Sequence, residues 1–386
     1  MGRVRFSDVV KRVNVFVDRE HTDLLYYVGG EHIDSDAFMV RKNGLIKGAT
    51  IGYKFHFGFQ PGHILFMSRN PHLRKCSMVD FAGVCSDSTY VVETRDENVL
   101  LQRYLLIEMQ SDRFWKWAEE NKSGSVNYLI NYCTLDSYEF DLPPIEEQRA
   151  LAEKLWATND LKEKYQHLLA STDEMLKAKF REMFGECGVQ SAEGGVREIG
   201  LLKIGECKNG LNFSPNETGA MIKCVGVSDF GSRTSLIDFS EVADLSVNSL
   251  PSQEYWLQDN DFLFVRSNGN KDLVGRCMLI KPGDVRSTFG GFCIRYRLHD
   301  KAVLHKWLLY WFRSEEIRRR LQGRCGNGSI NNLSQSILAE IKVPVPPVEL
   351  QREFVSIADA AEASNAELKK SITSIDAVMR GLINRR

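Results

Sequence analysis

The sequence predicts an α+β protein made of two related halves, each a mixed α/β domain followed by a long helix. Three observations support this fold class. A segment that begins LPPIEEQR at Leu142 returns as VPPVELQR at Val345, and the two copies align without a gap. Both copies have apolar residues three and four positions apart, which is the spacing of an amphipathic helix. Short apolar runs bounded by turn residues precede each copy, as expected of strands. We therefore expect an internal duplication, with a pseudo-two-fold repeat of domain and helix.

The repeated segment has the usual signals of a helix. A proline pair at Pro143–Pro144, and again at Pro346–Pro347, fixes the backbone before the first turn. Acidic residues follow, where they complement the positive end of the helix dipole. A helix from Gln148 to Gly185 would be roughly 55 Å long at about 1.5 Å per residue. The predicted apolar stripes are Leu151, Leu155, Leu161, Tyr165, Leu168, Thr172 and Met175 in the first copy, and Phe354, Ile357, Ala361, Leu368, Ile372, Ile375 and Val378 in the second.

These stripes are close to a 3.5-residue repeat, which is typical of helices that pack along their length as a coiled coil. We expect each copy to pack against its duplicate. The alternative is a pair of core helices within one globular body, but the segments are charged and too long for complete burial.

Length and composition set the domain count. A chain of 386 residues is long enough for two domains. The predicted boundaries are residues 1–141 for the first domain, 142–186 for the first long helix, 187–344 for the second domain and 345–386 for the second helix. The sequence has no apolar run long enough to span a membrane and no apolar signal core at its start. Its nine cysteines form no C-x-x-C pair, so we expect a cytoplasmic protein without disulfides or zinc.

The shorter elements are predicted from local patterns. We expect strands at Leu24–Val28, Ala49–Tyr53, Ile64–Met67 and Tyr90–Glu93 in the first half, and at Met221–Val227, Phe262–Arg266, Cys277–Ile280 and Phe292–Leu298 in the second. Helical stretches are expected at Asn98–Lys122 and Val303–Gln322, each followed by a loop, Ser123–Tyr128 and Gly326–Asn332.

Charge is segregated although the net charge is only −1. Seven Lys and Arg and no acidic residue lie between Arg41 and Val79, and fourteen Lys and Arg face five acids between Arg266 and Arg324. The segment from Asp229 to Asp261 is acidic instead. Either basic run alone is compatible with an ordinary solvated surface. Their presence in both halves favours contact with nucleic acid.

The order of domain, helix, domain and helix resembles the specificity subunit of type I restriction–modification enzymes. The resemblance covers essentially the whole chain. It rests on PPIEEQR and PPVELQR, on the loop GNGSINN at Gly326–Asn332, and on GVCS at Gly83–Ser86 and GGFC at Gly290–Cys293. The loop of the first half, Gly124–Asn127, is a shorter version of the second, so its part in DNA contact is less well supported.

This resemblance implies a role for each domain, for the long helices and for the partner subunits. Each α/β domain would be a target recognition domain for one half of a split sequence in double-stranded DNA. The two helices would pack antiparallel as a spacer. Two methylation subunits and the restriction subunits would be partners. S-adenosylmethionine, ATP and Mg would belong to those partners, so no cofactor or metal is expected on this chain.

Catalytic patterns are represented only by weak matches. An adenine methyltransferase needs a D/N-P-P-aromatic loop, but Asp141–Ile145 has an intervening leucine and no aromatic residue. Glu340–Lys342 has the E-x-K form of a nuclease motif, which is common by chance. There is no phosphate-binding glycine loop and no paired histidine spacing for a metal. We therefore expect no catalytic residues and no metal site.

DNA recognition needs cations for phosphates and polar side chains for base edges. The expected phosphate contacts are Arg41, Lys42, Lys47, Arg74 and Lys75 in the first half, and Lys271, Arg276, Arg295 and Arg297 in the second. The expected base contacts are Arg69, Asn70, Arg266, Asn268 and Asn270, followed by Asn327 and Asn331 in the glycine-rich loop. For any one of these residues, the alternative is an ordinary polar position in a loop.

Partner subunits are expected to contact the charged faces of the long helices. The expected docking residues are Glu146, Gln148, Arg149, Glu349, Gln351 and Arg352. Two alternatives to a DNA-recognition subunit stay open at this point. One is a coiled-coil adaptor that joins protein-binding domains without DNA, and the other is a self-contained methyltransferase.

Overall fold

The computed structural model describes residues 2–18, 20–49, 51–125, 127–185, 197–214, 217–231, 233–323 and 331–385. The chain divides into two units. Unit 1 is Met1–Leu168 with Leu368–Arg386, and unit 2 is Leu169–Glu367. Each unit therefore contains one α/β domain and a part of each long helix.

Unit 1 contains a four-stranded sheet of order β2-β10-β7-β8, a five-stranded sheet of order β3-β6-β9-β4-β5, and the antiparallel pair β1–β11. The strands are β1 (Gly2–Arg5), β2 (Val10–Arg12), β3 (Val15–Phe16), β4 (Tyr26–Val28), β5 (Gly44–Leu45), β6 (Phe55–Phe59), β7 (Ile64–Met67), β8 (Cys76–Met78), β9 (Gly83–Ser86), β10 (Thr89–Thr94) and β11 (Glu139–Leu142). The helices are α1 (Phe6–Val9), α2 (Gln102–Met109), α3 (Asp112–Glu120), α4 (Tyr132–Asp136) and α5 (Ile145–Phe184), which continues into unit 2.

The core of unit 1 joins the four-stranded sheet to its helices. Phe66 of β7 stacks near Trp115 of α3, with ring centres 5.8 Å apart. Trp156 of α5 and Met379, from the C-terminal helix, are buried in the same apolar cluster. The long helices are therefore part of this core and not a separate stalk. Each fully buried large apolar side chain contributes about 1.5–3 kcal/mol to stability.

Unit 2 contains a five-stranded sheet of order β13-β21-β17-β19-β15, a three-stranded sheet of order β16-β14-β20, and the pairs β12–β23 and β18–β22. The strands are β12 (Arg197–Gly200), β13 (Gly205–Asn209), β14 (Ala220–Val225), β15 (Ser235–Leu236), β16 (Asp244–Val247), β17 (Asp261–Val265), β18 (Ser267–Asn268), β19 (Cys277–Ile280), β20 (Ser287–Phe289), β21 (Cys293–Leu298), β22 (Asn331–Asn332) and β23 (Lys342–Val345). The helices are α6 (Leu201–Ile204), α7 (His305–Arg313), α8 (Glu315–Gly323), α9 (Gln335–Ala339) and α10 (Val348–Ile383), whose end lies in unit 1.

The long helices pair inside each unit. In unit 1, Lys162 of α5 forms an ion pair of 2.6 Å with Asp376 of α10. In unit 2, Phe354 of α10 packs edge-on against Phe180 and Phe184 of α5, with ring centres 5.1 and 5.8 Å apart. Each unit thus combines the earlier part of one helix with the later part of the other.

Three predictions about the fold are corrected. The predicted strand Ala49–Tyr53 is absent from the described residues of that segment, where Tyr53 is 77% exposed and no neighbouring strand pairs with it. Asn98–Lys122 forms two helices, because Ser111 caps the second by accepting a hydrogen bond from Phe114 N at 3.1 Å. Val303–Gln322 is also divided, at Ser314.

The predicted apolar stripe of α5 is only partly internal. Leu161, Leu168 and Met175 are 42%, 48% and 45% exposed. Leu155 of the stripe is buried, and so is Leu176, which the stripe did not include. A 3.5-residue pattern fits two neighbouring faces of a helix, and tertiary contacts decide which of them is covered.

Candidate nucleic-acid interface

In unit 2, the expected base-contacting residues lie where β17 ends. Arg266 follows this strand, and β18 then pairs antiparallel with β22, so that Asn268 lies opposite Asn331. Leu333 N donates to Arg266 O at 2.7 Å and fixes the strand pair to the end of β17. The structure thus brings Asn331, which is distant in sequence, next to Asn268 and the end of β17. Asn327 lies outside the described residues.

Asn268 and Asn270 also organise their own turn. The Asn268 Oδ1 accepts from Asn270 N at 2.8 Å, and the Asn270 Oδ1 accepts from Asp272 N at 2.9 Å. These bonds occupy the side-chain oxygens and hold the amide groups in place. Asn270 and Lys271 are exposed, so both can reach a ligand.

Unit 1 has the same backbone arrangement after β7. Ile130 N donates to Ser68 O at 2.9 Å, Arg69 bridges to Leu129, and Asn70 N donates to Tyr128 O at 2.9 Å. Arg69 is exposed. The structure therefore places Arg69 and Asn70 beside the loop that follows α3, as it places the unit 2 candidates beside β22.

This pairing changes the correspondence expected from sequence. The short match between Gly124–Asn127 and Gly328–Asn331 put Asn127 at the place of Asn331. In the structure, Tyr128 faces Asn70 as Asn331 faces Asn268. The Lys122 ammonium lies 4.2 Å from the centre of the Tyr128 ring. Lys122 and Tyr128 were not among the predicted residues, although a basic and an aromatic residue at this loop are types suited to nucleic-acid contact.

The expected phosphate contacts of unit 1 are largely held by acidic residues of the same unit. Arg41 pairs with Asp80 at 2.6 Å and Glu163 at 2.7 Å. Burial opposes its charge, yet these two acids outweigh burial and raise the pKa of Arg41. Lys42 pairs with Asp34 at 2.7 Å.

Two further cations of this set have intramolecular partners. Arg74 pairs with Asp36 and Asp112, at 2.6 Å each, and the Lys75 ammonium donates to Gly30 O. Lys47 is exposed. Phosphate contact by Arg74 would require it to exchange two carboxylates for one phosphate.

The prediction that Arg295 and Arg297 contact phosphates is wrong. Arg295 is 1% exposed and pairs with Glu206 at 2.8 Å, and its burial lowers its pKa. Arg297 donates two hydrogen bonds of 2.7 Å to the buried Asp261, and these bonds raise the pKa of Arg297. Both side chains turn toward acids of the same unit, and β21 is an interior strand of its sheet, between β13 and β17.

Comparisons with known proteins show what this chain is similar to. Residues 212–376 match the family model of the type I restriction modification DNA specificity domain. The chain is 22% identical over 333 residues to the StySPI specificity subunit of Salmonella potsdam, covering 78% of this chain and 67% of that one. It is 24% identical over 333 residues to the EcoKI specificity subunit of Escherichia coli K12, covering 80% and 67%. By these matches the chain is similar to type I specificity subunits over most of its length.

Two solved structures share the fold of this chain. One is a crystal structure of a type I restriction–modification S subunit from M. genitalium, with a TM-score of 0.57 and 16% identity over 99% of this chain and 94% of that one. The other comes from a study of assembly and conformational transition of a type I system, also with a TM-score of 0.57 and 16% identity, over 99% and 96%. The family-model match and the two specificity subunits do not favour an adaptor without a DNA role.

Gln148 and Gln351 are not available to a partner subunit, so that prediction is corrected. Both are completely buried. The Gln148 Oε1 accepts from Leu101 N at 3.0 Å, and its Nε2 donates to Val99 O and Pro143 O, at 2.9 Å each. The buried amide therefore satisfies backbone groups at the start of α2 and the start of α5.

The glutamine of unit 2 repeats this arrangement. The Gln351 Oε1 accepts from Leu304 N at 2.8 Å, and its Nε2 donates to Ala302 O at 2.9 Å and Pro346 O at 2.8 Å. In each unit, one glutamine thus fixes the long helix to the domain beside it.

The other four expected docking residues are exposed. Glu146 and Arg149 form an ion pair of 2.9 Å on the first turns of α5. Glu349 and Arg352 lie exposed at the matching places on α10. A partner can reach these charged groups.

Neither a metal centre nor a membrane span is present in the described ranges. They contain no group of three or more His, Cys, Asp and Glu side chains that could hold a metal ion. No helix in the same ranges is long and apolar enough to cross a membrane.

Proposed function

We propose that this chain is the non-catalytic specificity subunit of a type I restriction–modification complex, with each unit binding one half of a split DNA sequence. The observation that carries this proposal is the repeated backbone arrangement. In both units, the segment after the central strand is bonded to the loop after the second domain helix, through Ile130 N to Ser68 O and Leu333 N to Arg266 O. A bipartite target needs two such surfaces.

The two surfaces have side chains suited to base recognition. Arginine donates two hydrogen bonds to guanine, and asparagine pairs with adenine through its amide. Arg69 and Asn70 would serve one half-site, and Arg266, Asn268 and Asn331 the other. Lys47 and Lys271 are exposed cations and would contact phosphates, and Lys271 directly follows Asn270.

The long helices would form the spacer of this subunit. Their shared offset in sequence and the matched glutamines support an origin by internal duplication, with antiparallel packing in a coiled coil. Lengthening both helices by one turn, ~5.4 Å, should widen the unrecognised DNA spacer by roughly 1–2 base pairs. A methylated motif with an unchanged spacer would contradict this role, and a heat-stability measurement would confirm that the lengthened chain folds.

Methylation and restriction subunits would dock on the exposed faces of α5 and α10. Glu146, Arg149, Glu349 and Arg352 supply charged contacts. The exposed Leu161, Leu168 and Met175, seven residues apart, supply an apolar row on α5. Two methylation subunits would match two such helices. S-adenosylmethionine, ATP and Mg would bind to those partners, in the cytoplasm.

Selection from a random DNA pool tests this function directly. The assembled complex of specificity and methylation subunits is incubated with the pool, and bound DNA is sequenced. We expect a motif of two fixed parts separated by a constant gap. Enrichment of no motif would favour the adaptor. Calorimetry of the isolated chain with S-adenosylmethionine should give no binding, and clear binding would instead favour a self-contained methyltransferase.

A further inference from the structure

Each unit has a cavity where its α/β domain meets the C-terminal part of a long helix. The cavity of unit 1 is about 200 Å³ and that of unit 2 about 480 Å³. The helix residues that line them correspond one to one, each 203 positions from its counterpart. They are Asp173, Leu176, Lys177, Phe180 and Arg181 in unit 2, and Asp376, Met379, Arg380, Ile383 and Asn384 in unit 1. The two cavities are therefore equivalent places with different linings.

In unit 1, ion pairs neutralise much of the cavity lining. Arg74 has the left-handed backbone conformation, with φ of 52°, and its guanidinium lies between Asp36 and Asp112. It also donates to Gln110 O at 3.0 Å. Lys162 pairs with Asp376. These contacts leave little room and little uncompensated charge.

In unit 2, three arginines at the cavity donate to backbone carbonyl groups instead. Arg276 Nη1 donates to Gly231 O at 2.7 Å, and Arg318 Nη2 donates to Asp272 O at 2.7 Å. Arg313 Nη1 donates to Arg233 O at 3.2 Å and Cys277 O at 3.3 Å.

The charge of these three arginines is poorly compensated. Among the residues that the structure describes, no carboxylate lies within 4.0 Å of Arg276, Arg313 or Arg318. Burial lowers the pKa of Arg313 and Arg318, and repulsion from Arg276 adds to this in both. All three are partly buried. Partly buried cations without a counter-ion are costly, so an anion at this place would stabilise them.

The acidic residues that line the cavity do not cancel its positive charge. Seven Lys and Arg line the cavity of unit 2 against four acidic residues. Glu174 pairs with Lys177 at 2.7 Å, and Glu316 pairs with Arg319 at 3.2 Å. Asp173 occupies the position in unit 2 that Asp376 occupies in unit 1, where Asp376 pairs with Lys162. The position in α10 that corresponds to Lys162 is Asn365, so this ion pair is not repeated in unit 2.

We propose that the cavity of unit 2 binds a small phosphorylated molecule of the nucleoside phosphate class. The phosphate would lie among Arg276, Arg313 and Arg318, because guanidinium groups donate paired hydrogen bonds to phosphate oxygens. Leu176 and Tyr310 supply apolar surface for the base and sugar. A volume of about 480 Å³ is within the range of small-ligand sites.

A free nucleotide fits this lining better than duplex DNA does. Arg313 is half-buried, and the cavity also presents Asp173, Glu174 and Glu315. A duplex carries a charge about every 1.7 Å of its axis, so its flanking phosphates would meet those acids. A compact ligand places its anionic end on the arginines alone. This site is additional to the proposed DNA surfaces and does not depend on them.

Calorimetry of the full chain with AMP, ATP and inorganic phosphate tests the proposal. We expect one nucleotide per chain, bound more tightly than inorganic phosphate. Arg318→Gln and Arg276→Gln should each weaken ATP binding about tenfold or more, since each removes a charge-assisted hydrogen bond. Arg318→Lys should restore part of the affinity.

Two matched controls keep the result specific. Arg320→Gln removes the same charge from the same helix, but Arg320 pairs with Glu316 and does not line the cavity. Arg380→Gln changes the cavity of unit 1. Both should bind ATP as the natural chain does, and thermal unfolding of every variant confirms that it is folded.

Three outcomes would overturn the proposal. The first is no nucleotide binding by the folded natural chain. The second is binding that Arg318→Gln and Arg276→Gln leave unchanged. The third is weaker DNA binding by the assembled complex carrying these variants, with no nucleotide bound, which would make the cavity a contact for DNA phosphates.

Discussion

The two units share a backbone plan and differ in the charges placed on it. Gln148 and Gln351 make the same three hydrogen bonds in their own units, and both are completely buried. The equivalent cavities differ, because Arg74 has two carboxylate partners whereas Arg313 has carbonyl groups only. Buried polar groups that hold the long helices are thus the same in both halves, while the surfaces that meet ligands have diverged.

The largest effect should come from the shared glutamines. Gln148→Ala and Gln351→Ala should each lower the free energy of unfolding by about 3 kcal/mol, because each leaves buried backbone groups without partners. Urea unfolding of the variants measures this loss. The control Arg149→Ala, at an exposed position, should change stability by less than about 0.5 kcal/mol. A large loss of stability for one glutamine variant and none for the other would show that the two glutamines are not equivalent.

A smaller effect on stability should distinguish the cavity of unit 1 from that of unit 2. Asp36→Asn with Asp112→Asn removes both partners of Arg74 and should cost about 1 kcal/mol, since these pairs are partly exposed and screened by solvent. Phosphate in the buffer should then stabilise this variant more than the natural chain. In unit 2, Asp173→Asn breaks no ion pair and should be within about 0.5 kcal/mol of neutral. Equal losses in the two units would show that their cavities have the same electrostatics.

The smallest effect concerns one histidine in each unit. Burial lowers the pKa of His63 in unit 1 and of His305 in unit 2 below 6.5. The unfolded chain therefore takes up these protons first as pH falls, and stability decreases from about pH 6.5 downward. Each histidine should contribute less than about 1 kcal/mol. Replacing both with glutamine should flatten the dependence of unfolding free energy between about pH 5 and 7, and an unchanged slope would contradict this origin.

The sequence was most informative where local rules and repetition agree. The proline pairs and the apolar spacing predicted α5 and α10 close to their observed bounds. The strands at Ile64–Met67 and Cys277–Ile280 were predicted at their observed positions, since buried strands form continuous apolar runs.

Tertiary contacts limited the rest of the prediction. Arg295 belongs to a basic run, yet its side chain lies in the interior beside Glu206. Gln148 lies among charged residues, yet it is buried because the domain packs on that face of α5. Neither composition nor helical period indicates which polar side chain turns inward. The pairing of Asn70 with Tyr128 also depends on contacts between distant segments.

The central claim is that each unit recognises one half of a split target. Sequencing of methylated adenines in two strains tests it most directly, one carrying Arg69→Ala with Asn70→Ala and the other Arg266→Ala with Asn268→Ala. We expect each pair to relax or abolish specificity in a different half of the motif, with the spacer unchanged. If both pairs changed the same half, or neither changed the motif while methylation continued, the account would be contradicted.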